Sequence, residues 1–254
     1  MKGNLIMKLN LYFLFFLTVP TVLFCSQNKH NNVQGTKNDS LEIVSVEYSN
    51  STPDSSATIE IFYPQIKEQG GNKIIKEINK FLENEFKESI DWYQEAAADS
   101  SNMEDYRFSY SFETGFTVEY NSSDFLSIVM DHYQYTGGAH GNYYTVGYNI
   151  RIRDGKLLKL EDIIDNDSID ILSTECEDGI LELYDADSLT EAGLFDNNIT
   201  ILPDQDFYII PGTLVLQFDP YEIAPYSMGD IKVEIPFDKI SDILKPNLPF
   251  YKDK

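Results

Sequence analysis

Three long runs of alternating side chains stand almost back to back in the middle of this chain, and they constrain its fold more than any other feature. Tyr106–Tyr120 alternates through Phe108, Tyr110 and Phe112, and Asp124–Tyr135 and Asn142–Arg153 follow after short gaps. A period of two marks strands, and connections this short join antiparallel neighbours. The three runs therefore predict an antiparallel meander whose last two strands form a long hairpin. Gly115 is placed to mark a bulge or turn in the first of them.

The flanking segments complete an α+β pattern. Leu41–Tyr48 reads as a strand, and Thr58–Tyr63 places Ile59, Ile61 and Tyr63 on one face, with Pro64 ending it. Ile74, Ile75, Ile78, Phe81, Leu82, Phe86, Ile90 and Tyr93 recur at helical spacing, so one amphipathic helix is predicted over 72–98. Asp154 and Gly155 give a tight turn into Lys156–Leu160, and Ile163–Tyr184 reads as a helix frayed at 165–167 and at Gly179. A polar connection over 185–206 leads to short strands at Phe207–Ile210, Gly212–Phe218 and Ile231–Ile235. A terminal helix is expected over Pro236–Leu244. Strands grouped with helices, without regular alternation, indicate a mainly antiparallel sheet with packed helices. The expected organisation is an N-terminal subdomain, 41–150, and a C-terminal subdomain, 151–246, sharing one core.

The chain begins with Lys2 and Lys8, then an apolar run from Leu11 through Phe24 that stops at Cys25. This is the pattern of a secretory signal, shorter than the roughly 20 residues of a transmembrane helix. Residues 26–40 form a polar linker. Cys25, preceded by Val22, Leu23 and Phe24, stands where a bacterial lipoprotein is acylated, although a small residue is usual in place of Phe24. Lipid anchoring, an uncleaved signal anchor and a cleaved soluble form all place the domain outside the cytoplasm, in the bacterial cell envelope. Acylation of Cys25 leaves Cys176 without a disulfide partner. Its pattern with Ile171, Leu172 and Ile180 makes it a small core residue.

The net charge is −23, and removal of the first 24 residues with Lys2 and Lys8 makes it −25. Such a surface repels nucleic acid and anionic membrane, so membrane contact is expected only through the anchor. It serves either to keep the domain soluble or to attract cationic proteins. No Asp-x-Asp-x-Asp-Gly calcium loop is present.

Between the last two strands of the meander lies Tyr133–Asn142 (YQYTGGAHGN). Gly137, Gly138 and Gly141 permit positive φ, which makes this a shaped loop. A hairpin centred on Gly137 and Gly138 sets Tyr135 opposite His140 and His132 opposite Tyr143, so the two histidines do not face each other. With His30 in the linker, no metal-ligand spacing exists and no cofactor is expected. His140 serves either to hold the loop through its ring or to contact a ligand. No Gly-x-Ser-x-Gly elbow occurs, and Ser227 has no recognisable partner. Asp131, Asp219 and Glu222 offer carboxylates for glycan hydrolysis, yet among 42 acidic residues such a pair arises by chance. No catalytic residue is assigned, and an enzyme is not expected. Asp219–Gly229 (DPYEIAPYSMG) combines two prolines with Tyr221 and Tyr226. It reads either as a rigid corner against the sheet or as a second recognition loop.

Four stretches resemble a family of extracytoplasmic domains of unknown function. It is known from the lysozyme-binding domain of the anti-sigma factor RsiV and from the N-terminal domain of the peptidoglycan deacetylase PdaC. They are Tyr63–Ile66 (YPQI) before a helix with Ile78 and Asn79, Tyr133–Asn142, Gly155–Asp162 (GKLLKLED), and Phe218–Gly229 (FDPYEIAPYSMG). The resemblance implies an α+β fold and binding of lysozyme as a protein ligand. No cytoplasmic segment is read before Leu11 and no deacetylase domain after Leu244, so a free-standing tethered domain is expected. The expected ligand-binding residues are Tyr133, Tyr135, Gly137, Gly138, His140, Asn142, Asp219, Tyr221 and Tyr226. A basic lysozyme-like wall hydrolase is the first expected partner. Cell-wall glycan stacked on tyrosines and an uncharacterised hydrolase activity are the alternatives.

Overall fold

One strand, β4 (Phe125–Tyr135), is buried on both faces over its first six residues. Its apolar residues run almost without interruption through Phe125, Leu126, Ile128, Val129 and Met130, which is the pattern of a strand between two layers. Leu126, Ile128 and Met130 join a core with two helices, whereas Val129 on the opposite face meets Tyr208 and Val215. The computed structural model describes residues 40–53, 55–68, 70–100 and 109–251. The apolar leader, Cys25, the linker through residue 39 and residues 106–108 of the first alternating run lie outside them.

β4 belongs to a six-stranded sheet whose spatial order follows the sequence: β1 (Ile43–Ser51), β2 (Ala57–Ile66), β3 (Tyr110–Asn121), β4, β5 (Asn142–Arg151) and β6 (Lys156–Leu157). All neighbours are antiparallel except β2 and β3, which run parallel. A parallel pair needs a crossover, supplied here by α1 (Lys73–Asn84) and α2 (Lys87–Ser100). The single helix expected over 72–98 is thus two. Between them Phe86 is buried beside the rings of Tyr63 and His132, and Glu85 accepts the Tyr148 hydroxyl at 2.9 Å. Asn72 caps α1 by accepting the amide of Ile74 at 2.9 Å.

The YPQI stretch has a structural explanation. Asn79 on α1 is buried, accepts the Ile66 N–H and donates to the Ile66 carbonyl, both at 2.8 Å, mimicking a strand partner at the end of β2. Pro64 does not end β2. It lies beyond Ile61, the last residue paired with β3, where a missing N–H is tolerated. Gly115 pairs regularly with Asp131, and the bulge falls instead between Val118 and Tyr120.

The second sheet, ordered β7 (Phe207–Ile210), β8 (Thr213–Phe218) and β9 (Ile231–Pro236), is covered by α3 (Ile169–Tyr184). Leu172, Cys176 and Ile180 face this core, and burial pushes the Cys176 thiol up to about 12. Ile171, one residue off that face, is exposed. Gly179 does not fray α3; a Cβ there would fall 2.6 Å from a Val233 methyl, so it permits close helix–strand approach. The expected terminal helix is absent: β9 runs through Pro236, and a single 3-10 turn covers Ser241–Ile243. The backbone of this stretch makes short i→i+3 turns, and its end pairs with another segment instead of continuing as a helix. Asp165 N–H bonds the Ile243 carbonyl and Lys245 N–H that of Ile163. Phe237, Ile240 and Ile243, three residues apart, turn into the core.

The two sheets meet through a small polar joint in apolar surroundings. Gln217 N–H bonds the Asp206 carbonyl, so the backbone groups of Phe207 and Ile209 turn to the outer edge of β7. There Asn149 donates to the Phe207 carbonyl at 2.8 Å, and Ser127 accepts the Ile209 N–H at 3.0 Å while donating to Asn149 at 2.7 Å. The Phe207 carbonyl, the Ile209 N–H and the Ser127 hydroxyl thus each have a partner within the joint, as burial requires. Beside it, a Cβ on Gly147 would lie 2.0 Å from the Phe207 carbonyl oxygen. Gly147→Ala is expected to force the sheets apart and lower stability by about 2–3 kcal/mol, measured by urea unfolding.

Candidate functional site

The hairpin tip and the Asp219–Gly229 corner lie together along one edge of β5. β6 reaches only Ile150 and Arg151, so from Asn142 to Asn149 the far side of β5 has no strand neighbour. The second sheet and its loops cover that side. Tyr226 donates its hydroxyl to the Gly141 carbonyl at 2.8 Å, and the Thr145 N–H is accepted by Asp219 at 2.9 Å. Asp206 accepts the next outward amide, that of Gly147.

The hairpin register differs by one residue from the sequence expectation. Gln134 pairs with Asn142, Tyr133 with Tyr143 and His132 with Tyr144. The loop spans six residues, with Gly137 and Gly138 at positive φ, so His140 belongs to the loop and faces no strand residue. Tyr135 is instead turned inward along the tip and donates to the Gly138 carbonyl at 2.9 Å. Gly141 does not adopt positive φ. Its missing side chain makes room for the Tyr133 ring, which a Cβ would approach to 2.5 Å.

His140 stacks on Tyr226, with centroids 4.2 Å apart and planes 25° from parallel, and its Nδ1 lies 2.9 Å from the Gly141 carbonyl. Tyr226 also meets Tyr143 edge-on at 5.8 Å and Tyr221 at 5.6 Å. Tyr133, Gly141, His140, Tyr221 and Tyr226 thus share one neighbourhood, and Asp219 fixes the corner to β5. Gly137 and Gly138 shape the tip without joining the cluster, and Asn142 is exposed opposite Gln134. Tyr226 is half-buried, whereas Tyr133 is 38% exposed and Tyr221 58% exposed.

The corner is held from within. Glu222 accepts the Asp219 N–H at 2.9 Å and the Gln205 side chain at 2.9 Å, and Gln205 also donates to the Gln217 carbonyl at 2.8 Å. Neither Gln205 nor Thr145 stands out in the sequence; their roles arise from pairing across the fold. Tyr143 could have been found, because correct hairpin pairing sets it directly opposite Tyr133. Burial raises the Asp219 carboxyl, with Glu222 adding to the effect against the Thr145 hydrogen bond. Asp206 is pushed up to about 6, by burial first and Asp219 second.

This arrangement fixes rings and carboxylates in place, and among the described residues no carboxylate is bonded to His140. His140 meets an aromatic ring and a backbone carbonyl. His132 lies on the opposite face, buried, stacked on Tyr144 at 4.5 Å and pushed down to about 4 by burial. Asp131 accepts the Thr145 hydroxyl at 3.2 Å. Among the described residues, no group of three or more His, Cys, Asp or Glu side chains is arranged to hold a metal ion. Nor is any described helix long and apolar enough to cross a membrane.

Comparison with known proteins divides the chain at about the same place as the two sheets. Residues 50–143 match the family described as Deacetylase PdaC, and residues 161–238 match the family described as Protein of unknown function (DUF3298). A stretch of 46 residues is 52% identical to the anti-sigma-V factor RsiV of Bacillus subtilis, covering 18% of this chain and 16% of that protein. The chain therefore matches only a small part of this relative. A DUF3298 family member from Bacteroides fragilis superposes with a TM-score of 0.67 at 20% identity, over 82% of this chain and 95% of that one. A DUF3298 family protein from Pseudomonas aeruginosa gives 0.64 at 19% identity, over 85% and 99%. These two structures share the fold.

The edge carboxylates give the site a measurable pH signature. Asp206 binds its proton more tightly folded than unfolded, so its contribution is most favourable below pH 3.8 and is lost as pH rises through about 6. Asp206→Asn removes that loss while keeping an acceptor for Gly147. The stability of the variant relative to the parent should rise by about 1–2 kcal/mol between pH 4 and 7, solvent screening of the partly exposed carboxylate having been allowed for, measured by urea unfolding across pH. His132 titrates in both proteins and cancels in the difference.

Proposed function

We propose, from the premise that this is a PdaC/DUF3298-like chain with a segment resembling RsiV, that it is a non-catalytic binding module of the bacterial cell envelope. In this reading it is secreted, tethered through Cys25, and takes a basic, lysozyme-like wall hydrolase as its protein partner. The observation that carries the reading is the lock between hairpin and corner. Tyr226 is spent on internal contacts with Gly141, His140 and Tyr143, whereas Tyr133 and Tyr221 at its margins stay exposed. A rigid scaffold that presents tyrosines outward lowers the entropy lost on binding.

Charge supports the choice of partner. The chain carries −23, and its charge includes Asp219 and Glu222 in the corner beside the aromatic cluster. A cationic protein is steered toward such a surface, with an association rate that falls as salt screens the charges. His140, held between the Tyr226 ring and the Gly141 carbonyl, suits a contact surface.

The test is direct binding of lysozyme to the purified domain at low and physiological salt, together with lysozyme activity in its presence. The expected results are saturable binding that slows with salt, inhibition at stoichiometric ratios, and a loss of about tenfold or more in affinity for Tyr226→Ala. No binding at low salt overturns the reading. Sedimentation with purified peptidoglycan that persists in high salt would transfer the site to a glycan. For the tether, Cys25→Ser should move the protein from the membrane fraction to the soluble one.

A further inference from the structure

From Leu160 through Ile231 the chain contains no lysine, arginine or histidine, but eighteen aspartates and glutamates. This cation-free stretch includes the Asp219–Gly229 corner, and it also includes the polar connection before β7. That connection is well folded. Leu189, Ala192 and Leu194 are buried, and the backbone turns through bonds from Ala192 to Ser188, Gly193 to Thr190 and Leu194 to Leu189. The next residue points the other way: Phe195 is 54% exposed.

Phe195 is fastened to the corner. Its N–H bonds the Ile223 carbonyl at 2.9 Å, and a Cβ on neighbouring Gly193 would meet the Met228 sulfur at 3.0 Å. Two residues before Ile223 stands Tyr221, whose φ of +73° lies in the left-handed region. For a residue with a bulky side chain this backbone is unfavourable by about 1 kcal/mol or more, and glycine would adopt it freely. The strain is held by the bond from Tyr221 N–H to the Ala224 carbonyl at 3.0 Å, between two prolines. An exposed ring on a strained backbone adds nothing to the core. Strain kept at such a place is a mark of a contact residue.

We propose that Phe195 and Tyr221 are paired aromatic anchors of the contact surface, and that the turn over 189–197 is its third loop beside the hairpin and the corner. The inference rests on the binding-module reading and names the occupant as a folded basic protein. Two fixed rings supply desolvated contact, and the acidic, cation-free stretch of chain that carries them supplies the charge complementarity. Asp196 beside Phe195 and Glu222 beside Tyr221 place a carboxylate next to each ring in the sequence. Basic side chains lying over an aromatic face gain from both groups.

The experiment compares Phe195→Ala, Tyr221→Gly and, as an exposed apolar control on α3, Ile171→Ala. Each is measured for affinity to lysozyme, affinity to polylysine and melting temperature. Phe195→Ala and Tyr221→Gly should each weaken lysozyme binding about tenfold and leave polylysine binding unchanged. Tyr221→Gly should melt at or above the parent temperature, because the left-handed backbone is relieved, and Ile171→Ala should match the parent throughout. The inference is overturned if the two variants bind lysozyme like the parent. It is also overturned if they lose lysozyme and polylysine equally, if they lose only peptidoglycan binding, or if Tyr221→Gly loses thermal stability along with affinity. Failure of the parent itself to bind lysozyme overturns the underlying reading and this one with it, which separates the two failures.

Discussion

The structure turns on the free edge of β5. A strand with one neighbour exposes a row of amides and carbonyls that must be hydrated, paired or covered. Over Gly141–Gly147 the chain covers that row with groups from its second half: the Tyr226 hydroxyl on the Gly141 carbonyl, and the carboxylates of Asp219 and Asp206 on the amides of Thr145 and Gly147. The seal continues at Asn149, whose side chain bonds the outer edge of β7. Two half-exposed edges, one from each sheet, thereby satisfy each other. Carboxylates suit the task because each accepts a charge-assisted hydrogen bond, and the cost is the partial burial that raises Asp206 and Asp219.

The same seal gives the recognition reading its physical content. The hairpin tip and the corner come from segments about 80 residues apart in the chain, and each alone would be a mobile loop. Tyr226 joins them at the tip, Glu222 and Gln205 brace the corner, and Phe195 ties in the connection before β7. A surface made from three braced loops loses little freedom when a partner docks. In the proposed reading, the exposed rings at its margin, Tyr133, Tyr221 and Phe195, would contribute contact area without first being ordered.

Much of this architecture was legible in the sequence because it follows from short-range patterning. The α+β class, the meander and the three late strands follow from alternation and tight turns. Elements whose form depends on distant partners were not legible. The break after Asn84 depends on a ring pocket for Phe86, and the fate of Ser241–Ile243 depends on backbone pairing with 163–165. The hairpin register was set one residue off because Gly137 and Gly138 look like a two-residue turn, whereas the chain builds a six-residue loop. Of the site, the tyrosines and His140 could be singled out by their glycine and proline context. Thr145, Gln205 and Phe195 could not, because their roles rest on contacts 12 to 74 residues away.

The sealed edge is tested most directly by amide hydrogen exchange at Thr145 and Gly147. Neither amide has a strand partner, so an open edge would leave both exchanging at rates near those of loops. The account predicts that both are protected to the level of the β4–β5 ladder, exchanging only when the two sheets separate. Fast exchange at Thr145 and Gly147 beside a slowly exchanging ladder would show that the corner does not hold the edge, and would contradict the preorganised surface built on it.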